Sequence, residues 1–147
     1  MIKLLNTAAD NFVARSIRNI TGFEVSHNAL QINNTVWESA HDTGVKCYTL
    51  EEWLEKYGTP HSVYELRGLD ESIVESRFKS IDGKKYDWSP LICYPLHINY
   101  ISKDRWNCSR SIAWACRELI PHKNYHRCLP GYLRGIGHAC EFTFSQG

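Results

Sequence analysis

The sequence predicts an α+β domain in which helices pack against an antiparallel sheet. Two runs of strand-forming residues flank the dipeptide Asn33-Asn34, which is typical of a tight turn between antiparallel strands. Helical patterns that follow the capping residues Thr49 and Asp70 are interleaved with further strand patterns. A chain of 147 residues with 43% hydrophobic content has the size and composition of one folded unit. We therefore expect a single domain over residues 1–147.

The first predicted elements are a helix and a hairpin. Thr7 is a suitable N-cap for a helix that Gly22 ends. The apolar face of this helix consists of Val13, Ile17 and Ile20. An extended run is predicted over residues 23–32, and residues 35–40 form its antiparallel partner.

The middle of the chain predicts two more strands with a helix between them. Residues 45–48 have the composition of a third strand, and residues 62–67 that of a fourth. Between them, Thr49 and Glu52 have the spacing of a capping box, in which each side chain bonds the other residue's backbone N–H. The helix that they start is expected to end near Gly58.

Three further segments have recognisable patterns. Asp70 is expected to cap a helix that Gly83 ends, with an apolar face formed by Ile73, Val74, Phe78 and Ile81. Residues 86–94 are aromatic and interrupted by a proline, which predicts an irregular segment or a short helix. Residues 138–144 alternate in polarity, which predicts a last strand.

Cys108 is the first candidate for chemistry, because it stands where a helix is predicted to begin. Asn107 is a good N-cap, and Pro121 ends the helix. Its apolar face consists of Ile112, Ala115, Cys116, Leu119 and Ile120. The first N–H groups of a helix lack internal acceptors and carry partial positive charge, so a thiol there can ionise below its ordinary pKa of roughly 8.5. We expect this helix to pack across the sheet with Cys108 as a nucleophile.

His27 and Glu38 are the candidate partners of Cys108. A cysteine nucleophile needs a base that holds the thiolate as an ion pair, and histidine is suited to this role. The histidine in turn needs an acceptor at its second ring nitrogen. Because His27 and Glu38 lie on the two predicted hairpin strands, the carboxylate can reach the imidazole.

The overall charge and composition do not indicate a particular class of binding partner. A net charge of +1 and a pI near 7.7 give no electrostatic footprint for nucleic acid or an anionic membrane. The N-terminus lacks the pattern of a signal peptide and no stretch has the length of a membrane span, so we expect a cytoplasmic protein. The 6 cysteines are then expected to be reduced thiols.

Six fragments of the chain form a pattern when they are taken together: Phe12–Thr21, Ser26-His27, Val36–Ala40, Gly44-Val45, Lys85–Trp88 and Asn107–Ser109. This set resembles the circularly permuted NlpC-like group of papain-fold cysteine hydrolases. Permuted members have the histidine first and the cysteine late, which is the order found here. The chain departs from the family at Asn28, where relatives tend to have an apolar residue, and at Arg110, where many have glutamate.

The resemblance implies a permuted papain-like fold and a cysteine peptidase or amidase. Cys108, His27 and Glu38 would then form the triad, and an acyl-enzyme would be the intermediate. The expected substrate is a peptide or peptidoglycan-like amide, with no cofactor. Tyr86 matches a family tyrosine that can donate to the oxyanion, and two tryptophans near the site segments are expected to line the cleft. These are Trp88 and Trp106.

Other functions stay open at this point. The chain could be a catalytically silent papain-like binding module in a virion or an anti-host factor, or a lipid or thioester acyl hydrolase or acyltransferase. Relatives of the permuted type are often phage-encoded, which would make the host cell or the virion its location. A zinc site is a further alternative, and its candidate ligands are His122, His126, Cys128, His138 and Cys140.

Overall fold

The computed structural model confirms the predicted α+β class. It describes residues 1–93, 95, 96, 98, 100, 102–120 and 128–136. The strands are β1 (Ile2–Thr7), β2 (His27–Ile32), β3 (Thr35–Ala40), β4 (Gly44–Thr49) and β5 (Ser62–Leu66). The helices are α1 (Phe12–Thr21), α2 (Leu50–Tyr57), α3 (Glu71–Ile81), α4 (Ser89–Cys93), α5 (Cys108–Ala115) and α6 (130–136), and Arg117–Leu119 forms a 3₁₀ turn.

The five strands form one antiparallel sheet in the order β4-β3-β2-β1-β5. The predicted hairpin of β2 and β3 is confirmed, and Asn33 in its turn has a φ of 54°, in the left-handed region that asparagine tolerates. In this register Glu38 pairs with Ala29, two residues beyond His27 on β2. Side chains two apart on a strand share one face, so His27 and Glu38 project from the same side of the sheet.

The N-terminal strand β1 is the element that the sequence analysis missed. Thr7 was expected to cap a helix, but it is the last residue of β1, and Asn11 caps α1 by accepting from the N–H of Ala14 at 2.8 Å. Every β1 residue except Lys3 is buried, so the strand lacks the alternating polarity that identifies a half-exposed strand. The extended run predicted over 23–32 is also shorter, because β2 begins at His27.

The predicted helix ends are largely confirmed by their caps. The capping box of Thr49 and Glu52 is present at α2, and Asp70 accepts two backbone N–H groups at the start of α3. Gly22 ends α1 with a φ of 71°. The assignment of Ile73 to the buried face of α3 is wrong, because this residue is 46% exposed. The other three apolar residues of α3 are buried.

Two layers of side chains cover the sheet, one on each face. One cluster contains Leu4, Leu30 and Trp37 with residues of α3 and α5, and the other contains Leu5, Ala29 and Val36 with Trp53 of α2. The predicted packing of the Cys108 helix against the sheet is thus confirmed, and its contacts are to β2 and β3. α5 ends at Ala115, earlier than the predicted apolar face, and a 3₁₀ turn follows. Pro121 and the predicted strand 138–144 lie outside the described residues.

A connecting segment, residues 83–87, joins the edge of the sheet to the start of α5. The carbonyl of Lys84 accepts from the N–H of Val45 at 2.8 Å, and the carbonyl of Lys85 accepts from the N–H of Trp106 at 3.0 Å. On the other side of Tyr86, the N–H of Asp87 donates to the carbonyl of Trp106 at 3.2 Å, so backbone bonds flank this residue. Among the residues described, none of the helices is long and apolar enough to cross a membrane.

Gly44, the first residue of β4, provides a test of this connection. It has a φ of 71°, and a Cβ there would lie 2.2 Å from the carbonyl oxygen of Lys84. We expect Gly44→Ala to lower the free energy of unfolding by at least about 3 kcal/mol, since backbone strain and a backbone clash combine. Gly22 has a φ of 71° and a ψ of 9°, in the left-handed helical region, with open space around it, so Gly22→Ala should cost only about 1–2 kcal/mol. Urea unfolding measures both, and equal losses would contradict the role given to the Lys84 contact.

Candidate active site

Cys108 lies at the N-terminus of α5, as predicted. Asn107 has extended backbone and its side chain accepts from the N–H of Arg110 at 2.8 Å, which satisfies one donor of the first turn. The N–H groups of Cys108 and Ser109 come earlier in that turn, where no intrahelical acceptor exists. The Cys108 residue is 3% exposed, so its thiol is in a largely dry environment beside these donors.

His27 connects Cys108 to Glu38, and the structure brings all three predicted residues together. The Nε2 atom of His27 lies 2.7 Å from Oε2 of Glu38. The His27 ring also bonds to the Cys108 thiol, and because Nε2 is engaged with Glu38, Nδ1 is the atom that faces sulfur. The His27 side chain is 14% exposed and that of Glu38 is fully buried.

Glu38 is held by four side-chain donors, three of which the sequence analysis did not identify. Oε2 accepts from the indole Nε1 of Trp53 at 3.0 Å as well as from His27. Oε1 accepts from the hydroxyl of Tyr57 at 3.0 Å and from Nζ of Lys56 at 3.3 Å. The three additional donors share one side of α2, at the i, i+3 and i+4 spacing. That spacing was visible once α2 was predicted, but nothing in the sequence indicated which carboxylate the donors would bind.

The charges of this trio stabilise one another against the cost of burial. Burial alone would lower the pKa of His27, but its bonds to Cys108 and Glu38 outweigh this and raise it to about 10. Burial would raise the pKa of Glu38, yet His27 and the α2 donors lower it to about 2. Burial also opposes ionisation of Cys108, and His27 together with the backbone N–H of Asn28 lowers the pKa of the thiol. The arrangement favours a thiolate–imidazolium pair next to a carboxylate.

Asn28 contributes its side chain as well as its backbone. Its Nδ2 donates to Oδ1 of Asn6 at 2.5 Å, and its Oδ1 accepts from the hydroxyl of Ser109 at 3.1 Å. Asn6 in turn donates to Ser62 at 3.0 Å. This buried chain of amides and hydroxyls joins β5, β1 and β2 to the first turn of α5. Asn28 therefore holds the start of α5 in a fixed position relative to β2, the strand of His27.

Tyr86 and Cys108 line the same cleft, and the expected role of Tyr86 as an oxyanion donor stays a prediction. Burial raises its pKa, and the negative charge of Cys108 raises it further, which places the phenol within electrostatic reach of the sulfur. Its ring is buried and meets Trp88 edge-on, with 5.1 Å between ring centroids. A neutral hydroxyl at this position is able to donate a hydrogen bond.

The two tryptophans assigned to the cleft occupy different environments. Trp88 is 39% exposed and also meets His41 edge-on at 5.9 Å, so it stands at the rim of the site. Trp106 is buried in the core, where its ring packs against Trp114 and under the guanidinium of Arg110. The structure thus gives Trp106 a packing role behind the site.

Two narrow clefts meet at the trio. The first, here the Cys108 cleft, has a volume of about 40 Å³ and is lined by Cys108 and Cys128. The second, the His27 cleft, has a volume of about 50 Å³ and is lined by His27. Ile17 and Tyr86 line both clefts. Burial raises the pKa of Cys128 to about 11, so only one of the two thiols in the Cys108 cleft is prone to ionise near neutral pH.

Most of the candidate zinc ligands are not among the residues that the structure describes. His122, His126, His138 and Cys140 lie outside the described residues, and Cys128 is buried beside the Cys108 cleft. Within the described ranges, histidines, cysteines and carboxylates do not come together in a group of three that could hold a metal ion. The five cysteines described are free thiols.

The buried carboxylate predicts a specific loss of stability in acid. Because the pKa of Glu38 is about 2 when folded and 4.5 ordinarily, its contribution is complete above about pH 5 and disappears as the pH falls to 2. We expect this group to account for roughly 3 kcal/mol of the free energy lost over that range. Glu38→Gln should remove that part of the pH dependence, whereas Glu75→Gln on α3 should retain it. Urea unfolding at several pH values measures the slope, and an unchanged slope in Glu38→Gln would contradict the assignment.

The Asn28 network predicts a large effect of an isosteric apolar substitution. Asn28→Leu leaves the Asn6 carbonyl and the Ser109 hydroxyl buried without their partner, so we expect a loss of roughly 2–5 kcal/mol in the free energy of unfolding. Asn19→Leu, on the exposed side of α1, is the matched control and should change stability by less than about 0.5 kcal/mol. Similar values for the two variants would show that the network contributes little.

Comparison with known proteins does not assign the chain to a family. A scan against protein-family models finds no match to this sequence. A search of curated proteins likewise finds none that matches it. The chemical interpretation of the site rests on the geometry of Cys108, His27 and Glu38 and on their surroundings.

Proposed function

We propose that this protein is a cysteine hydrolase that cleaves an amide bond of a peptide or peptidoglycan-like substrate through an acyl-enzyme. The observation that carries the proposal is His27, which bonds Glu38 through one ring nitrogen and Cys108 through the other at the start of a helix. Nucleophile, base and orienting carboxylate are the three groups that thiol acyl transfer requires. All three border the two clefts or are buried directly behind them.

The first half-reaction forms the acyl-enzyme. The Cys108 thiolate attacks the carbonyl carbon, and a carbon–sulfur bond forms as the carbonyl oxygen takes up negative charge. His27 gives its proton to the leaving nitrogen, and the carbon–nitrogen bond breaks. In the second half-reaction, His27 takes a proton from water, the hydroxide attacks the thioester, and the carbon–sulfur bond breaks to release the acid. Glu38 keeps the imidazole in the same orientation throughout.

Two groups are positioned to stabilise the oxyanion. The N–H groups of Cys108 and Ser109 lie in the first turn of α5, where a helix provides no internal acceptor and its dipole is positive. Tyr86 lines the same cleft within electrostatic reach of the sulfur, and its hydroxyl would supply a side-chain donor. Together they would bind a charge that exists only during the reaction.

The resemblance to permuted NlpC-like hydrolases supports the same function. The histidine strand, the strand of its acceptor and the late nucleophile helix occur in the family's order, and the helix packs on an antiparallel sheet. We propose a permuted papain-like fold on this basis. Arg110, which replaces the glutamate of many relatives, is buried and donates to the carbonyls of Ser102 and Arg105. It thus supports the loop before α5, which is compatible with unchanged chemistry at Cys108.

Alkylation of Cys108 tests the catalytic pair. Because His27 holds the thiol ionised, we expect iodoacetamide to modify Cys108 at pH 6 at a rate within about threefold of that at pH 8. In His27→Ala the thiolate loses its cationic partner, so the rate at pH 6 should fall at least about tenfold. His61→Ala is the control, since His61 is an exposed histidine that faces Glu24.

The measurement is peptide mass analysis over time, which follows Cys108 separately from the other thiols. Slow alkylation that rises steeply above pH 8 in both wild type and His27→Ala would reject the enzyme and favour a silent binding module. Loss of the low-pH reaction in His61→Ala would mean that general instability, and not the pair, sets the rate.

A further inference from the structure

Helix α1 forms one wall along both clefts that meet at the catalytic trio. Val13 lines the His27 cleft, Ile20 lines the Cys108 cleft, and Ile17 lines both. These three residues are the apolar face that the helical spacing predicted. Because they follow one another along α1, a substrate that crosses from one cleft to the other runs parallel to this helix. The two clefts are therefore the two halves of one groove.

The chemistry of the proposed reaction assigns a different part of the substrate to each half. The acyl carbon becomes bonded to the sulfur of Cys108, so the acyl group occupies the Cys108 cleft. The leaving group takes its proton from His27, so it departs through the His27 cleft. This assignment rests on the proposed function and adds to it the nature of the two substrate parts.

The Cys108 cleft is small and mostly apolar. Its apolar walls include Ile20 of α1, Leu91 of α4 and the segment Leu129-Pro130, and polar residues that include Thr21, Asp87 and Asn107 complete the lining. A volume of about 40 Å³ holds about three water molecules, which corresponds to three or four non-hydrogen atoms of a ligand. Such a space accepts a short aliphatic group and offers little to a charged or long one.

The His27 cleft contains a buried hydroxyl that lacks a partner. Ser26 is 1% exposed and lines this cleft, and within the described part of the chain its Oγ has no hydrogen-bond partner. An unpaired buried hydroxyl is costly, and a ligand in the cleft that bonds to it, once the serine side chain rotates toward the cleft, removes that cost. A leaving group with an amide next to the scissile bond supplies such a bond, whereas an alkyl leaving group does not.

We propose that the groove selects a short aliphatic acyl group in the Cys108 cleft and an amide-bearing leaving group in the His27 cleft, with Ile20 and Ser26 as the residues that discriminate. In a peptide substrate, the group that enters the Cys108 cleft would be a small apolar side chain next to the scissile carbonyl. Ile20 limits the length of the acyl group, and Ser26 binds the polar group of the amine that departs.

Thioesters provide the probes, because the carbon–sulfur bond of the substrate exchanges directly with Cys108. The released thiol is quantified by chromatography after an acid quench, since a disulfide reagent in the assay would itself react with Cys108. The acyl arm compares S-butyryl- with S-octanoyl-N-acetylcysteamine. Wild type should prefer the butyryl thioester in kcat/KM by at least about tenfold, and Ile20→Ala should reduce this preference to about twofold or less. Ile73→Ala, an exposed isoleucine on α3, is the matched control and should retain it.

The leaving-group arm compares S-butyryl-N-acetylcysteamine with S-butyrylhexanethiol, which lacks the amide. Ser26→Ala should reduce the preference for the cysteamine thioester at least about fivefold, mainly through KM. Ser80→Ala, on the exposed side of α3, is the control for loss of a serine hydroxyl. A merely structural role of Ser26 would lower both rates equally and leave their ratio unchanged.

The outcomes separate this inference from the proposed function. If wild type turns over butyryl and octanoyl thioesters equally, or shows no preference for the amide-bearing thiol, the inference is overturned even if no variant folds. If intact-mass measurement finds no acyl adduct on Cys108 with any thioester, and wild type and Cys108→Ala turn over thioesters at the same rate, the proposed function itself fails. Acylation of Cys108 without either preference rejects the inference alone.

Discussion

The buried carboxylate of Glu38 is the group on which the arrangement of the site depends. It binds His27 on β2 and Trp53, Lys56 and Tyr57 on α2, so one side chain ties a helix to the hairpin. A buried charge is tolerated only where donors surround it, and here each oxygen has two. The orientation of His27 is fixed because moving the ring would leave the carboxylate short of a partner. Tyr57 adds to this by stacking on the imidazole, with 5.3 Å between ring centroids.

A second set of contacts fixes the position of the nucleophile from the opposite direction. Arg110 on α5 donates to backbone carbonyls of the preceding loop, and Asn28 on β2 accepts from Ser109 in the first turn. The helix start is therefore bound both to the loop that leads into it and to the strand that carries the histidine. Polar groups deep in a core specify one relative position of the elements that they join, because any shift leaves them unsatisfied. The distance between sulfur and imidazole is consequently a property of the fold.

Local signals account for the parts of this structure that the sequence predicted. The capping box at Thr49 and the turn at Asn33-Asn34 depend on neighbouring residues alone, and both are confirmed. Strand β1 was missed because its residues are buried on both faces of the sheet, which removes the alternation that marks a strand. The trio of Cys108, His27 and Glu38 was identified from residue types and their order.

The unpredicted parts of the site depend on packing between distant elements. Trp53 and Tyr57 are ordinary aromatic residues of a helix until the sheet brings Glu38 against them. The backbone N–H of Asn28 and the unpartnered hydroxyl of Ser26 have no signature in the sequence, since any residue has an N–H and serine is common. Such groups become visible only when three-dimensional neighbours are known.

The Cys108 cleft contains two thiols whose pKa values are shifted in opposite directions. His27 lowers the pKa of Cys108, whereas burial raises the pKa of Cys128 to about 11. An electrophile that enters the cleft meets both sulfurs within the same walls, and only the ionised one is a strong nucleophile. Selectivity between them is thus electronic and does not depend on access. A covalent inhibitor built to fill this cleft would form its bond at a single defined atom, and the second sulfur would serve it only as an apolar contact.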